Sequence, residues 1–454
     1  MDAFVIHGGR PLRGTVRLHG SKNAALPLMA AALLTDHPVT LHEVPDLADI
    51  RNLVRLLEAL GCSANRAKPN NPRDPDQPDD PGPLTLHAAD ASNSVAPYEI
   101  VRTMRAGICV LGPMLAKRGA ATVSMPGGCA IGDRPVDLHL RGLAQLGADI
   151  TLTAGDITAR APRNGPRDTG RLRGAHVFLG GPNGSTVLGT ANVMSAATLA
   201  TGTTIIEAAA CEPEVVDLAR LLNAMGAKIT GAGSPRITIE GVDALGPADH
   251  TVIPDRIEAG TYVMAAAITN GDVTLERFPH GMLTAALDRL REVGVAVEPV
   301  NDQPLPIDDT PATVRVVAER RLRPTHVVTQ PHPGFPTDLQ AQLMALLTLA
   351  DGNSIVTEKI FPERFLHVAE LARMGATLIR SGPTVMVSGV PQLRGAPVMA
   401  SDLRASAGLV LAGLAASGKT IVNRVYHLDR GYQRMETTLQ ALGAEISRIN
   451  DRDL

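Results

Sequence analysis

The sequence predicts an α/β protein of two domains, each a threefold repeat of one unit, so that six copies of the unit occupy 454 residues. Three observations predict it. A helix end closed by glycine recurs six times: Leu56-Leu57-Glu58-Ala59-Leu60-Gly61, Leu143-Ala144-Gln145-Leu146-Gly147, Leu222-Asn223-Ala224-Met225-Gly226, Leu290-Arg291-Glu292-Val293-Gly294, Leu371-Ala372-Arg373-Met374-Gly375 and Leu439-Gln440-Ala441-Leu442-Gly443. Upstream of each lies a helix of small residues that hands over to a strand. The spacing, about 70–85 residues, exceeds the ~20–50 of solenoid repeats, so the unit is a duplicated subdomain and not an array.

Each part follows from local chemistry. The glycine-closed helices are amphipathic, and glycine supplies the left-handed residue just past their ends. The β-branched runs that follow most of them, such as Ala148-Asp149-Ile150-Thr151-Leu152 and Lys228-Ile229-Thr230, are strands. The small-residue helices, among them Ala196-Ala197-Thr198-Leu199-Ala200 and Ala265-Ala266-Ala267-Ile268, carry so few charges that they belong in the middle of each domain. The unit is βαβαββ-like. Repeats 1–3 make an N-terminal domain, 22–253, and repeats 4–6 a C-terminal domain, 254–454, together with 1–21. Residues 4–18 read as one opening strand outside the first repeat. Residues 68–83 break the rhythm with six prolines and no other apolar side chain, and read as a solvated surface insertion without assigned function.

Composition excludes several classes. Apolar residues at 44% and charged residues at 20% are ordinary for a soluble enzyme and too apolar for disorder. A net charge of −3 offers no basic field for nucleic acid or an anionic membrane, and four Tyr, six Phe and no Trp leave few surfaces for stacking bases. Cys62, Cys109, Cys129 and Cys211 show no C-x-x-C spacing, which argues against a disulfide framework and a structural zinc. The N-terminus lacks a signal-peptide pattern, and the longest uncharged apolar stretch, 405–418, is shorter than the ~20 residues that cross a bilayer. The expectation is a cytoplasmic enzyme with no membrane, nucleic-acid or obligate protein partner.

Polar residues gather at the starts of the small-residue helices: Gly20-Ser21-Lys22-Asn23, the stretch 98–105, Gly184-Ser185-Thr186-Val187, Asp255-Arg256-Ile257-Glu258, Pro336-Thr337-Asp338 and Ser401-Asp402-Leu403-Arg404. Capping accounts for Asp338 and Asp402. It does not account for Lys22 and Arg404, whose charges are unfavourable at a helix N-terminus unless an anion is bound. Cys129 sits in Met125-Pro126-Gly127-Gly128-Cys129-Ala130-Ile131-Gly132-Asp133-Arg134-Pro135, where glycines and prolines describe an exposed loop and a nearby arginine lowers the thiol pKa. Cys109 and Cys62 read as buried structural thiols, and Cys211 is ambiguous. Gly413-Leu414-Ala415-Ala416-Ser417-Gly418-Lys419-Thr420 matches a P-loop pattern but follows a helix and precedes a strand, the reverse of the order a P-loop needs, so it is a turn.

Ser21-Lys22-Asn23-Ala24-Ala25-Leu26, the Cys129 loop with Arg134-Pro135-Val136-Asp137-Leu138-His139, Phe335-Pro336-Thr337-Asp338 and Asp402-Leu403-Arg404-Ala405 together resemble the UDP-N-acetylglucosamine enolpyruvyl transferase family of the EPSP synthase superfamily. The resemblance spans nearly the whole chain. It implies two inside-out α/β domains with the active site in a cleft between them. It also implies transfer of the enolpyruvyl group of phosphoenolpyruvate to the 3′-hydroxyl of UDP-N-acetylglucosamine, without metal or organic cofactor, as the first committed step of peptidoglycan synthesis.

Carried over residue by residue, the resemblance makes Cys129 the acid that protonates the enol carbon and can hold a covalent adduct, and Asp338 the base at the sugar hydroxyl. Lys22, Asn23, Arg134, Arg404 and Arg434 become phosphoenolpyruvate or phosphate contacts. Asp402 and Leu403, with Arg404, become the loop that supports formation of the intermediate and closure. Arg105, Arg134, Pro135, Val136, Asp137, Leu138, Thr186, Val187, Asp338 and Ile360 become contacts to the nucleotide sugar. The loop Gly184-Ser185-Thr186-Val187-Leu188-Gly189-Thr190 departs from family members that carry a basic residue there. Rival readings are a sister transferase acting on shikimate 3-phosphate, a cysteine hydrolase pairing Cys129 with His139, and a non-catalytic sensor of UDP-sugars.

Overall fold

In the computed structural model the chain is described over residues 2–67, 81–126, 136–163, 170–301, 304–318 and 321–450. Most of the proline-rich insertion, the Cys129 loop, Arg134 and Pro135 lie outside these residues.

The third repeat shows the unit in one piece. Strand His176–Phe178 is followed by helix Val187–Ala197, strand Thr203–Glu207, helix Pro213–Ala224 and a hairpin of Lys228–Thr230 and Arg236–Glu240. The first two strands pair in parallel across the small-residue helix, as a βαβ connection requires. The last hairpin strand then pairs antiparallel with the second. Repeats 2 and 5 have the same strand order, and the described strands form six four-stranded sheets.

Repeats 1, 4 and 6 are completed by strands from elsewhere in the chain. Ala248–Thr251, at the end of repeat 3, pairs in parallel with Val39–His42 and so opens repeat 1. Arg13–Arg17 pairs in parallel with Asp272–Phe278 and opens repeat 4. Asp2–His7 lies antiparallel between Lys419–Asn423 and Glu445–Asn450 and takes the last hairpin position of repeat 6. The single opening strand expected over 4–18 is therefore two strands in two sheets. The break is Gly8-Gly9-Arg10-Pro11, a turn signal. At Gly8 a Cβ would lie 2.3 Å from the carbonyls of Gly413 and Ala416, so only glycine lets this turn pack on the last small-residue helix.

Among the described residues the chain divides into two compact units, 2–19 with 254–450, and 20–126 with 136–253. In the first, helices Arg256–Ile268, Gln340–Leu347 and Leu403–Ala415 pack on one another. All of the first two helices and most of the third are buried. Small residues allow the approach: a Cβ on Gly408 would lie 2.8 Å from the Ala341 carbonyl, and one on Gly260 2.6 Å from Leu339. The strands around them alternate buried and exposed residues, as in Asn353–Thr357, so helices lie inside and sheets outside.

The second unit is built alike around Lys22–Ala31, Leu111–Arg118 and Val187–Ala197. Its buried Asn192 accepts from the Gly112 amide at 2.9 Å, donates to the Ile108 carbonyl at 2.9 Å and contacts His139 Nδ1 at 2.9 Å. Burial, with Arg105 nearby, pushes His139 down to about 3, so the imidazole is neutral and accepts from the Asn192 amide. The six repeat glycines all have left-handed backbones, with φ of 84° at Gly61, 90° at Gly147, 106° at Gly226, 100° at Gly294, 89° at Gly375 and 91° at Gly443. No helix among the described residues is long and apolar enough to cross a membrane.

Candidate active site

In the unit holding repeats 4–6, the starts of the small-residue helices carry a cluster of charges. Asp402 caps helix Leu403–Ala415 by accepting from the Arg404 and Ala405 amides at 3.0 and 3.1 Å. The Arg404 side chain is buried, 3.2 Å from Asp338 Oδ2, and donates to the Tyr432 hydroxyl at 3.2 Å. Burial works against the charge of Arg404, but Tyr432, Asp338 and Asp255 outweigh it and hold the guanidinium protonated. Asp338 does not cap its short helix Thr337–Leu339, whose cap position is held by Pro336. Its Oδ1 instead accepts from Arg364 at 2.8 Å, and Arg364 also reaches Asp402 at 3.9 Å. The capping role expected of Asp338 is therefore corrected, and that of Asp402 is observed.

Two guanidiniums thus fix both oxygens of a carboxylate that keeps a quarter of its side chain exposed. A carboxylate so oriented and still open on one side is suited to take a proton from a hydroxyl. Gln342 supports it from below, donating to the Asp338 carbonyl at 3.0 Å and to Thr261 Oγ1 at 3.0 Å. Leu403 is half-buried under Gly431, where a Cβ would meet its side chain at 2.5 Å. Arg434 is exposed at the start of helix Met435–Ala441, with a left-handed φ of 44°. Ile360 is half-buried, its amide donating to Glu358 Oε1 at 2.8 Å.

In the other unit, Lys22 opens helix Lys22–Ala31, which Ser21 caps through the Ala24 amide at 3.3 Å. Its ammonium is buried and pairs with Asp49 Oδ2 at 2.6 Å. Lys22 and Arg404 thus both have carboxylates of the protein beside them. This corrects the expectation that only a bound anion could offset their charges. Asn23 is half-buried next to Lys22. Half-buried Arg105 begins the 3-10 turn Arg105–Val110, which packs on helix Lys22–Ala31. Val136 is buried, Asp137 is exposed at the start of helix Asp137–Gln145, and half-buried Leu138 lies against Gly181. Thr186 caps Val187–Ala197 by accepting from the Gly189 amide at 3.2 Å, and Val187 is half-buried.

The described thiols are not activated. Burial pushes Cys62 up to about 11 and Cys109 up to about 12, and Cys211 is raised by burial and by Glu212. The P-loop match is a turn between helix Leu403–Ala415 and strand Lys419–Asn423, with Gly418 at φ 86°. Asp49, Arg364, Tyr432 and Glu358 did not emerge from the sequence. Asp49 reads locally as a first-turn acid of an amphipathic helix, and Arg364 is one arginine among 37.

Six βαβαββ units around buried small-residue helices, with carboxylates and cations at the helix starts, define an α/β enzyme of the inside-out transferase class. A family model described as EPSP synthase (3-phosphoshikimate 1-carboxyvinyltransferase) matches residues 6–439. The chain belongs to this family of enolpyruvyl transferases. It is 53% identical over 99% of both chains to a protein of Anaeromyxobacter sp. (strain Fw109-5) named UDP-N-acetylglucosamine 1-carboxyvinyltransferase. It is 49% identical to one of the same name from Magnetococcus marinus, over 99% of this chain and all of the other. Among solved structures, the enolpyruvyl transferase NikO from Streptomyces tendae matches with a TM-score of 0.84 and 25% identity, over 99% of each chain. An EPSP synthase from Acinetobacter baumannii, 17% identical with a TM-score of 0.73 over 99% of this chain and all of the other, shares the fold.

Proposed function

We propose that this chain transfers the enolpyruvyl group of phosphoenolpyruvate to the 3′-hydroxyl of UDP-N-acetylglucosamine, releasing inorganic phosphate, as the first committed step of peptidoglycan synthesis. The observation that carries this reading is identity near one half, over essentially the full length, to relatives bearing that activity as their name. The Asp338 cluster supports it by offering a fixed, partly open carboxylate.

The reaction is an addition followed by an elimination. The sugar oxygen bonds to C2 of phosphoenolpyruvate while Asp338 takes the hydroxyl proton and the Cys129 thiol gives a proton to C3. The tetrahedral intermediate then returns a C3 proton to the Cys129 thiolate as the C2–O bond to phosphate breaks, and the departing phosphate takes the proton held by Asp338, leaving the enol ether and both residues reset. Lys22, Asn23, Arg134, Arg404 and Arg434 hold the phosphate and carboxylate charges. Asp402 and Leu403 support Arg404. Arg105, Arg134, Pro135, Val136, Asp137, Leu138, Thr186, Val187 and Ile360 bind the nucleotide sugar. The Cys129 sulfur also adds to C2 as the C2=C3 π bond breaks and C3 takes a proton from solvent, giving a covalent adduct; with fosfomycin in place of phosphoenolpyruvate the thiolate forms a C–S bond as the epoxide C–O bond breaks, and the released alkoxide takes a proton from solvent. The site is the cytoplasm, and the product serves wall growth, and through it cell shape and division.

The test is phosphate release from phosphoenolpyruvate with UDP-N-acetylglucosamine, compared with shikimate 3-phosphate. The expected result is turnover with the nucleotide sugar alone and a product heavier than it by the enolpyruvyl group. Turnover only with shikimate 3-phosphate, or binding of the nucleotide sugar without phosphate release, would overturn the reading.

A further inference from the structure

Glu358 is fully buried, and its side chain accepts from the backbone amide of Ile360, a residue assigned above to substrate binding. Its Oε1 accepts from the Thr329 hydroxyl at 2.7 Å and from the Ile360 and Phe361 amides at 2.8 and 3.0 Å. Its Oε2 accepts from the Thr337 hydroxyl at 2.8 Å. The two oxygens therefore face different partners. One closes the turn that carries Ile360. The other holds the residue immediately before Asp338. Thr337 Oγ1 also accepts from Arg364 Nη1 at 3.1 Å, the nitrogen that donates to Asp338 Oδ1 at 2.8 Å.

A fully buried carboxylate is costly unless several donors satisfy it, and here hydroxyl and amide donors do so. A hydrophobic isostere would fill the volume without that cost, so the arrangement contributes orientation. The Thr337 hydroxyl donates to Glu358, so its lone pairs are turned toward Arg364. Arg364 is then held along the line that meets Asp338. Charge-assisted hydrogen bonds of this kind set direction as well as energy.

We propose that Glu358, acting through Thr337 and Arg364, is a positioning residue for Asp338, and that through its other oxygen it sets the turn bearing Ile360. Its chemistry is that of an acceptor: no proton or bond is exchanged in turnover. This rests on the reading of Asp338 as base and Ile360 as a nucleotide-sugar contact. A base displaced by a fraction of an ångström loses rate before the substrate loses affinity, because proton transfer is steeper in distance than binding is.

The test is steady-state phosphate release by four variants, each with its melting temperature. Thr337→Val removes the link toward Asp338 and keeps the shape. It is expected to lower kcat by about 10–100-fold with the KM for UDP-N-acetylglucosamine within about threefold of wild type. Thr337→Ser restores the hydroxyl and should recover most of kcat. Thr329→Val removes a bond to the same carboxylate on the side away from Asp338; it should lower the melting temperature while leaving kcat within about threefold. Glu358→Gln keeps an oxygen for the Ile360 and Phe361 amides but replaces the acceptor for Thr337, and should follow Thr337→Val. Unchanged kcat in Thr337→Val and Glu358→Gln, or equal losses in Thr337→Val and Thr329→Val, would overturn the proposal. An inactive wild type, or an Asp338→Asn variant with full turnover, would instead overturn the functional reading beneath it.

Discussion

Replacing Asp338 by Asn isolates basicity from shape. The carboxylate is held by Arg364 at 2.8 Å and Arg404 at 3.2 Å. Stranding a buried charge costs about 3–5 kcal/mol. The cost here is smaller for three reasons. The Asn oxygen still accepts from Arg364, Arg404 keeps Tyr432 and Asp255, and a quarter of the Asp338 side chain is exposed. We expect a loss of about 1–2 kcal/mol, which corresponds to a melting temperature lower by roughly 2–8 °C for a unit of this size. The effect on rate is larger. A positioned general base contributes about 10²–10⁴-fold, so kcat should fall by that factor. Phosphoenolpyruvate is an anion, and the substitution removes a negative charge beside two guanidiniums. Its KM should therefore stay level or fall. The assay is initial-rate phosphate release at 25 °C with both substrates varied, on protein shown by circular dichroism to be folded. A folded Asp338→Asn protein with kcat within about tenfold of wild type would refute the base assignment. A raised KM for phosphoenolpyruvate with unchanged kcat would refute the electrostatic argument.

Cys129→Asp should keep turnover, since a carboxylic acid can also donate the proton, and should resist inactivation by fosfomycin; intact mass should show the wild-type adduct on Cys129 and none on Cys62, Cys109 or Cys211. Gly408→Ala places a Cβ 2.8 Å from the Ala341 carbonyl and should destabilise by about 1–3 kcal/mol in urea unfolding, whereas Gly413→Ala meets only side chains at 3.1–3.3 Å and should cost less. His139, pushed by burial from its ordinary value of 6.5 down to about 3, binds a proton in the unfolded chain at pH values where the folded chain does not. Its stabilisation is complete above about pH 6.5 and is lost as pH falls toward 3, at up to about 1.4 kcal/mol per pH unit. The buried His367, lowered by burial and by Arg364 against Asp402, adds to the same trend. Urea midpoints between pH 7.5 and 5 should therefore fall, and His139→Gln should flatten the slope.

The repeat was legible because its determinants are local. A glycine past an amphipathic helix reports a left-handed backbone, and all six such glycines have it. A helix rich in Ala, Gly and Leu reports burial because it has few polar groups beyond its first turn, and helix Leu403–Ala415 is buried from Arg404 to Leu414. The P-loop match was rejected on element order alone, and a turn lies there.

What the tertiary structure decided is partnership. A strand's alternation reports which face is buried and not which strand lies beside it, because any strand edge offers the same amides and carbonyls. Hence nothing local sends Asp2–His7 to repeat 6, Arg13–Arg17 to repeat 4 or Ala248–Thr251 to repeat 1. The same holds for charges. Lys22 and Arg404 stand out in the sequence as cations at helix starts, but their partners, Asp49 and Asp338, are 27 and 66 residues away in the chain. Glu358 follows a β-branched strand, and its sequence context says nothing of the hydroxyls and amides that surround it. The sequence by itself determined where helices end and which of them are buried. The pairing of strands and of opposite charges was left to the fold, because those energies depend on distance in space between groups that are remote along the chain.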